Sequence, residues 1–342
     1  MCARYAKLFA CTRIPFSGED CHLVSPKSTH IVVMRGSHLY EMKVLLPNGS
    51  VLPESKFRDA FAGIISGKFR DGESAEGTFL ENGNVPLGCF TAAGRPQWCE
   101  WRSRLEDVSA RNRVSLQSIE TALFTLSLDT VQPADRSHEM EVLLHGCHIS
   151  DTDVVTSVEP RWHDKSIHIA IFPNGDGGLN FEHSPFDGAT VVRMADEVYL
   201  RAVRRPTGRG ELRNFRDAST KQLKSIAWSP RPLHFDETPQ VVAALSTACR
   251  DLHVLATSNS TRLLHFEKFG KDSLKQLKCS PDGVIQAAIQ LAYHRIHSNV
   301  HTGQWQYASA YESCSTKRYL WGRTEAIRPV TSKSTVSRPV VL

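Results

Sequence analysis

The pattern of apolar and polar positions sorts much of the chain into elements. His30 to Met34 and His38 to Leu46 read as strands, the second ending in the turn signal Pro47-Asn48-Gly49-Ser50. Pro53 then opens a helix whose apolar residues Phe57, Ala60, Phe61, Ile64 and Ile65 fall on one stripe. Residues 71–87 are rich in Gly and Asn and read as loop, and a second helix starts near Pro96. Alternation over Ser166 to Phe172 predicts a strand, which the turn Pro173 to Gly177 joins to another over Gly178 to Glu182, with a helix over Asp187 to Val203. Further on, Thr238 to Leu255 reads as helix and Thr261 to Phe266 as strand. From Ser280 a helix carries Val284, Ala288, Ile289 and Ala292 at helical spacing, with Asp282 suited to its first turn. Strands and helices mixed throughout, without an internal repeat, predict an α/β fold.

Residues 201–232 differ in kind. Arg201, Arg204, Arg205, Arg209, Arg213, Arg216, Lys221, Lys224 and Arg231 face only Glu211 and Asp217. A solvated basic linker and a specific anion site both fit that composition. Over the whole chain the balance is mild, 41 Lys and Arg against 36 Asp and Glu, which gives no ground for a nucleic-acid partner. No stretch reaches the roughly 20 apolar residues that a membrane-spanning helix requires. The nine cysteines form no CxxC pair, which argues against a structural zinc site and for free thiols in a reducing compartment. Met1 to Gly18 has Arg4, Lys7 and Arg13 and no acid, as a transit peptide would, but Pro15 and Gly18 come early. We read that segment as domain sequence, without a usable targeting signal.

Three segments carry candidate chemistry. In Phe181-Glu182-His183-Ser184-Pro185-Phe186-Asp187-Gly188, a histidine sits where a strand gives way to a helix. Transfer of an acyl group from a thioester to an alcohol needs a base for the alcohol proton. Imidazole, with a pKa of about 6.5, accepts it near neutral pH and can return it to the leaving thiolate. Asp187 is the candidate carboxylate to orient the ring, and Gly188 would permit a tight turn or close backbone approach. In the second segment, Lys268, Lys271, Lys275 and Lys278 share one face if the stretch is helical, and lead into the helix at Ser280. Converging ammonium groups and free N–H groups suit a polyphosphate, while a plain solvated lysine face is the alternative. The third runs from Tyr311-Glu312-Ser313-Cys314-Ser315-Thr316 to Trp321-Gly322-Arg323-Thr324-Glu325, where hydroxyls of Tyr311, Ser313 and Thr324 could hold a small carboxylate or simply line a surface loop.

Taken in order, EHSxxDG, GKxxxKxxKxSPD, YESCST and GRTEAIRP resemble the choline/carnitine acyltransferase family. Leu143-Leu144-His145-Gly146 and Arg161-Trp162-His163-Asp164-Lys165 add to the likeness, which runs from about residue 5 to 331, although His163 stands where the family carries another aromatic. The resemblance implies the coenzyme A-dependent acyltransferase fold, mixed sheets flanked by helices in two domains, the second truncated. It places an N-terminal domain over 1–200 and a partial C-terminal domain over 234–331, on either side of the basic linker over 201–233, while the tail over 332–342 shows no periodicity and reads as disordered. By the same resemblance His183 is the catalytic base with Asp187 its acidic partner. Lys271, Lys275, Lys278, Ser280 and Asp282 form the coenzyme A site, and Tyr311, Ser313 and Thr324 the carnitine contacts, the threonine going with carnitine rather than choline. It implies direct acyl transfer between coenzyme A and carnitine, of the long-chain, palmitoyl type, without metal or prosthetic group, by a monomer at the matrix side of the mitochondrial inner membrane with peripheral membrane contact. Family members are longer on both sides. The alternative is an inactive relative that at most binds coenzyme A.

Overall fold

The computed structural model describes residues 7–46, 48–69, 86–150, 152, 154–203, 228–297, 308–316, 318–319 and 322–331. It divides into two compact units, Met1–Leu263 and Leu264–Leu342.

A six-stranded mixed sheet organises the first unit. Its strands are β3 (His30–Arg35), β4 (His38–Lys43), β5 (Thr125–Leu128), β8 (Ile167–Ile171), β9 (Gly177–Phe181) and β10 (Arg231–Leu233), in the order β10-β4-β3-β5-β8-β9. β3, β5 and β8 run parallel, and antiparallel partners flank them on both sides. Two small ribbons accompany the sheet: β1 (Cys11–Ile14) with β2 (Cys21–Val24), and β6 (Cys147–Ile149) with β7 (Val155–Val158).

The central strand β3 explains the layering. Side chains alternate across a strand, so Val32 and Met34 point to one face while Ile31 and Val33 point to the other. Val32 and Met34 join a core with Trp98, Trp101 and Leu105 of α2 (Arg95–Val108) and with Leu116 and Ile119 of α3 (Ala110–Thr121). Ile31 and Val33 pack with Tyr40, Met42, Leu126 and Leu128, against Ala60 and Ile64 of α1 (Glu54–Ile65). A strand buried on both faces reads as a continuous apolar run, which is what Ile31 to Met34 present.

Helix ends follow local chemistry. Asp135 caps α4 (Arg136–His145), accepting the His138 N–H at 2.9 Å, and Gly146 closes it with φ of 78°. A Cβ there would also lie 2.3 Å from the Glu159 carbonyl oxygen, so the position demands glycine twice over. α5 spans Gly188–Val203. Thr238 caps α6 (Pro239–Thr257), with proline in the first turn, where its missing N–H costs nothing.

Packing carries the first unit to Leu263. The reason is physical. β10 pairs with the sheet edge at β4, and Leu245, Ala248 and Leu252 of α6 complete the core around Trp98. Each leucine buried there is worth roughly 1.5–3 kcal/mol. Thr261 to Phe266, expected as strand, forms no ladder; the Thr261 and Leu263 N–H groups donate instead to the Glu141 carboxylate at 2.7 Å and the Ser137 hydroxyl at 3.2 Å. Most of the basic linker, residues 204–227, and the tail beyond Thr331 lie outside the described residues.

The second unit contains α7 (Lys271–Gln276), α8 (Pro281–His297) and the antiparallel hairpin of β11 (Glu312–Ser315) with β12 (Thr324–Ile327). The Gln290 side chain holds Ala308 at both backbone groups, at 3.0 and 3.2 Å, and the Gln286 amide donates to Glu312, so helix and hairpin are joined.

Candidate active site

The loop after β9 is fixed at both ends by aromatic rings. Phe181 ends the strand, and Phe186 is buried with Leu8, Ile167 and Val191, the two rings stacking at 6.1 Å. Between these anchors the chain cannot sink inward, and His183 is exposed, its ring 5.3 Å from that of Phe181. Asp187 directly precedes α5, and its carbonyl accepts the Thr190 N–H at 3.0 Å in the helix's first turn. Gly188 proves not to be required by geometry. Its φ lies outside the left-handed region, and a Cβ would meet only the Phe181 ring at 3.5 Å, an ordinary contact.

Both neighbours of His183 are held by a polar chain. Glu182 accepts the Ser184 backbone N–H at 3.0 Å and the Ser184 hydroxyl with the same oxygen, and its other oxygen accepts from Arg13 at 3.2 Å. The Ser184 hydroxyl meets His22 Nε2 at 2.6 Å, and His22 Nδ1 meets Lys7 Nζ at 3.0 Å. Arg13 is itself held by Asp20 at 2.5 Å, and Asp20 also accepts from Arg95 at 2.8 Å. Burial, then Lys7 and Arg13, push His22 below its ordinary range, whereas Glu182 and Asp20 pull the other way.

The chain continues into the Arg161-to-Lys165 segment, whose members prove to be structural. Asp164 accepts from Arg95 at 2.5 Å and from the Trp98 indole at 2.7 Å. Arg161 forms a two-pronged pair with Asp129 at 2.7 and 2.8 Å, both side chains buried, and also donates to the Val142 carbonyl at 2.9 Å. Lys165 Nζ, equally buried, reaches Thr12 Oγ1 and the Glu120 carbonyl, each at 2.9 Å, and the Ile119 carbonyl at 3.3 Å. Burial lowers its pKa to about 7.

In the second unit, the lysines do not form the single helical face expected. α7 is six residues long and carries Lys271 and Lys275 one turn apart. Lys268 precedes it, and Lys278 follows with φ of 56°, a left-handed conformation that ends the helix. Ser280 and Asp282 flank the start of α8, where the Ser280 hydroxyl accepts the Gly283 N–H at 3.2 Å. The hairpin brings the hydroxyl-bearing residues together. Ser315 lies opposite Thr324 and Ser313 opposite Ala326, so Ser313, Ser315 and Thr324 share one face, with Tyr311 one residue before the strand. Among the described residues, no group of three or more His, Cys, Asp or Glu side chains could hold a metal ion. No helix of the described residues is long and apolar enough to cross a membrane.

His22, Lys7 and Arg13 were not legible as site residues. Serine 184 and histidine 22 are 162 residues apart, and only folding brings them together.

A mixed sheet flanked by helices agrees with the fold of an acyltransferase. Residues 1–336 match the choline/carnitine O-acyltransferase family, and the chain belongs to it. It is similar to mitochondrial carnitine O-palmitoyltransferase 2 of Xenopus tropicalis, 29% identical over 327 residues, covering 96% of this chain and 44% of that protein. The Bos taurus counterpart is 30% identical over the same coverage. Choline O-acetyltransferase of Mus musculus is 28% identical over 340 residues, 97% of this chain and 48% of the relative. The chain thus spans less than half the length of these relatives.

Proposed function

We propose that this chain carries the acyl-transfer base and the ligand-binding segments of a carnitine O-acyltransferase of long-chain, palmitoyl type. The observation that carries the proposal is the exposed His183, on a loop pinned by Phe181 and Phe186 and braced through both of its neighbours. In this reading His183 takes the carnitine hydroxyl proton as that oxygen attacks the thioester carbonyl, and returns it to the departing thiolate. Acyl transfer is direct and reversible, with Asp187 orienting the ring. Lys271, Lys275, Lys278, Ser280 and Asp282 receive the phosphates of coenzyme A, and Tyr311, Ser313 and Thr324 the carnitine carboxylate. The shared face of Ser313 and Thr324 supports the last assignment. The protein acts as a monomer on acyl-CoA and carnitine, in the mitochondrion at the matrix side of the inner membrane, in fatty acid metabolism.

The test is acylcarnitine formation from palmitoyl-CoA by the 342-residue chain, with choline as competing acceptor. Turnover with carnitine, reduced roughly 10²- to 10⁴-fold by His183→Ala, is expected. Preference for choline, or a His183→Ala variant with full activity, would refute it.

One observation favours a second reading, binding of coenzyme A without turnover. None of the described side chains of α7, α8, β11 and β12 is buried, so the carnitine-side hairpin has no core of its own. Coenzyme A binding by calorimetry, lost in Lys271→Ala/Lys275→Ala, with no acylcarnitine formed, would decide for it.

A further inference from the structure

We propose that Lys7 and His22 are positioning residues for His183, acting through Ser184 and Glu182. The proposal rests on the reading of His183 as the base and extends it to residues that no motif marks.

The directions of the hydrogen bonds carry it. A lysine ammonium can only donate, so His22 Nδ1, 3.0 Å from Lys7 Nζ, must be the bare, accepting nitrogen. The ring proton therefore sits on Nε2, which donates to Ser184 Oγ at 2.6 Å. The serine hydroxyl is left to donate onward to Glu182, which also takes the Ser184 backbone N–H at 3.0 Å. Every donor in the series points toward one carboxylate, whose second oxygen is closed by Arg13 at 3.2 Å.

Two conclusions follow from that polarity. First, His22 cannot serve as a base toward Ser184, because its proton already points at the hydroxyl; the pair is not a nucleophile and its activator. Second, the residues immediately before and after His183 are tied to each other and, through Arg13, Asp20 and Arg95, to the buried Asp164 and Trp98. A loop held at both neighbours of its functional residue has little freedom to swing the ring away. General-base transfer requires heavy-atom distances of about 2.6–3.2 Å, so that restriction bears on turnover rather than on binding. The arrangement also needs a neutral His22. Protonation at Nδ1 would set an imidazolium against the Lys7 ammonium, with Arg13 nearby and Asp20 and Glu182 opposing.

The experiment is amide hydrogen exchange across residues 182–187 of the full chain, in the wild type, His22→Ala and His22→Gln. Glutamine can reproduce the same polarity, its amide nitrogen donating to Ser184 and its oxygen accepting from Lys7. Loss of the bond should speed exchange of the Ser184 amide about 5- to 10-fold in His22→Ala, corresponding to about 1 kcal/mol, with His22→Gln returning most of the protection. Alongside it, His22→Ala should lower kcat with KM for acyl-CoA unchanged, and His22→Gln should restore kcat. Unchanged Ser184 exchange in His22→Ala overturns the proposal. So does a His22→Gln variant no better than His22→Ala, which would mark a role in packing. Exchange needs no turnover, so it decides the brace even if His183→Ala shows the catalytic reading to be wrong.

Discussion

Lys165 is a cation taken out of water with no carboxylate paired to it among the described residues, and its removal gives a sharp test of the energetics of the first unit. Its amine meets three oxygens, Thr12 Oγ1, Glu120 O and Ile119 O. Two of these keep another donor if the amine is lost: the Thr12 hydroxyl donates to Glu120 O at 2.6 Å, and the Ala122 N–H to Ile119 O at 3.3 Å. Lys165→Met therefore strands no carbonyl. Burial holds the folded pKa at about 7, against an ordinary 10.5. Between those values the unfolded chain binds one proton more than the folded chain, so stability climbs as pH rises and falls as pH drops toward 7. At 1.36 kcal/mol per unit, and with half the amine still protonated at pH 7, the wild type should gain roughly 2 kcal/mol between pH 7 and pH 9 from this residue. The assay is urea unfolding of wild type and Lys165→Met at pH 7, 8 and 9. Taking the difference between the two proteins removes contributions they share, including the Cys147 thiol, which burial pushes up. A difference that stays constant over that range would refute the reasoning, since the amine would then titrate at its solution value despite burial.

Two further outcomes are expected. Asp129→Leu leaves the buried Arg161 guanidinium facing no carboxylate and should cost about 3–5 kcal/mol, whereas Asp129→Leu/Arg161→Met should recover much of that loss, both read by chemical denaturation. Gly146→Ala places a Cβ in a left-handed backbone and against the Glu159 carbonyl, and should destabilise by roughly 1–3 kcal/mol, seen as a lowered thermal midpoint.

The legible parts of the sequence are those where local chemistry and tertiary packing agree. β3 shows as a four-residue apolar run because both its faces are buried, and α6 shows through Thr238, Pro239 and a long apolar stripe. Thr261 to Phe266 has the alternation of a strand, but alternation describes only the side chains. A strand also needs a neighbour for its backbone, and here side chains of α4 take those hydrogen bonds. The lysine run misleads for a related reason. Three-and-four spacing fits a helix, yet the chain turns at Lys278 just ahead of the cap at Ser280, and the helix holds Lys271 and Lys275 but not Lys268 or Lys278. In the candidate site, His183 stands out in the sequence because Asp187 and Gly188 follow it in one short motif. Lys7, His22 and Arg13 do not, because what selects them is proximity created by β1 and β2 lying beside the loop after β9.

The late arrival of β10 and α6 bears on how the molecule is made. A ribosome releasing the chain from its amino end delivers β3, β4, β5, β8 and β9 long before the strand that borders β4 and the helix that roofs Trp98. Until residue 257 or so has left the exit tunnel, one edge of the nascent sheet stays unpaired and the core around Trp98 stays incomplete, so this is the stretch of synthesis during which a holding chaperone has most to protect.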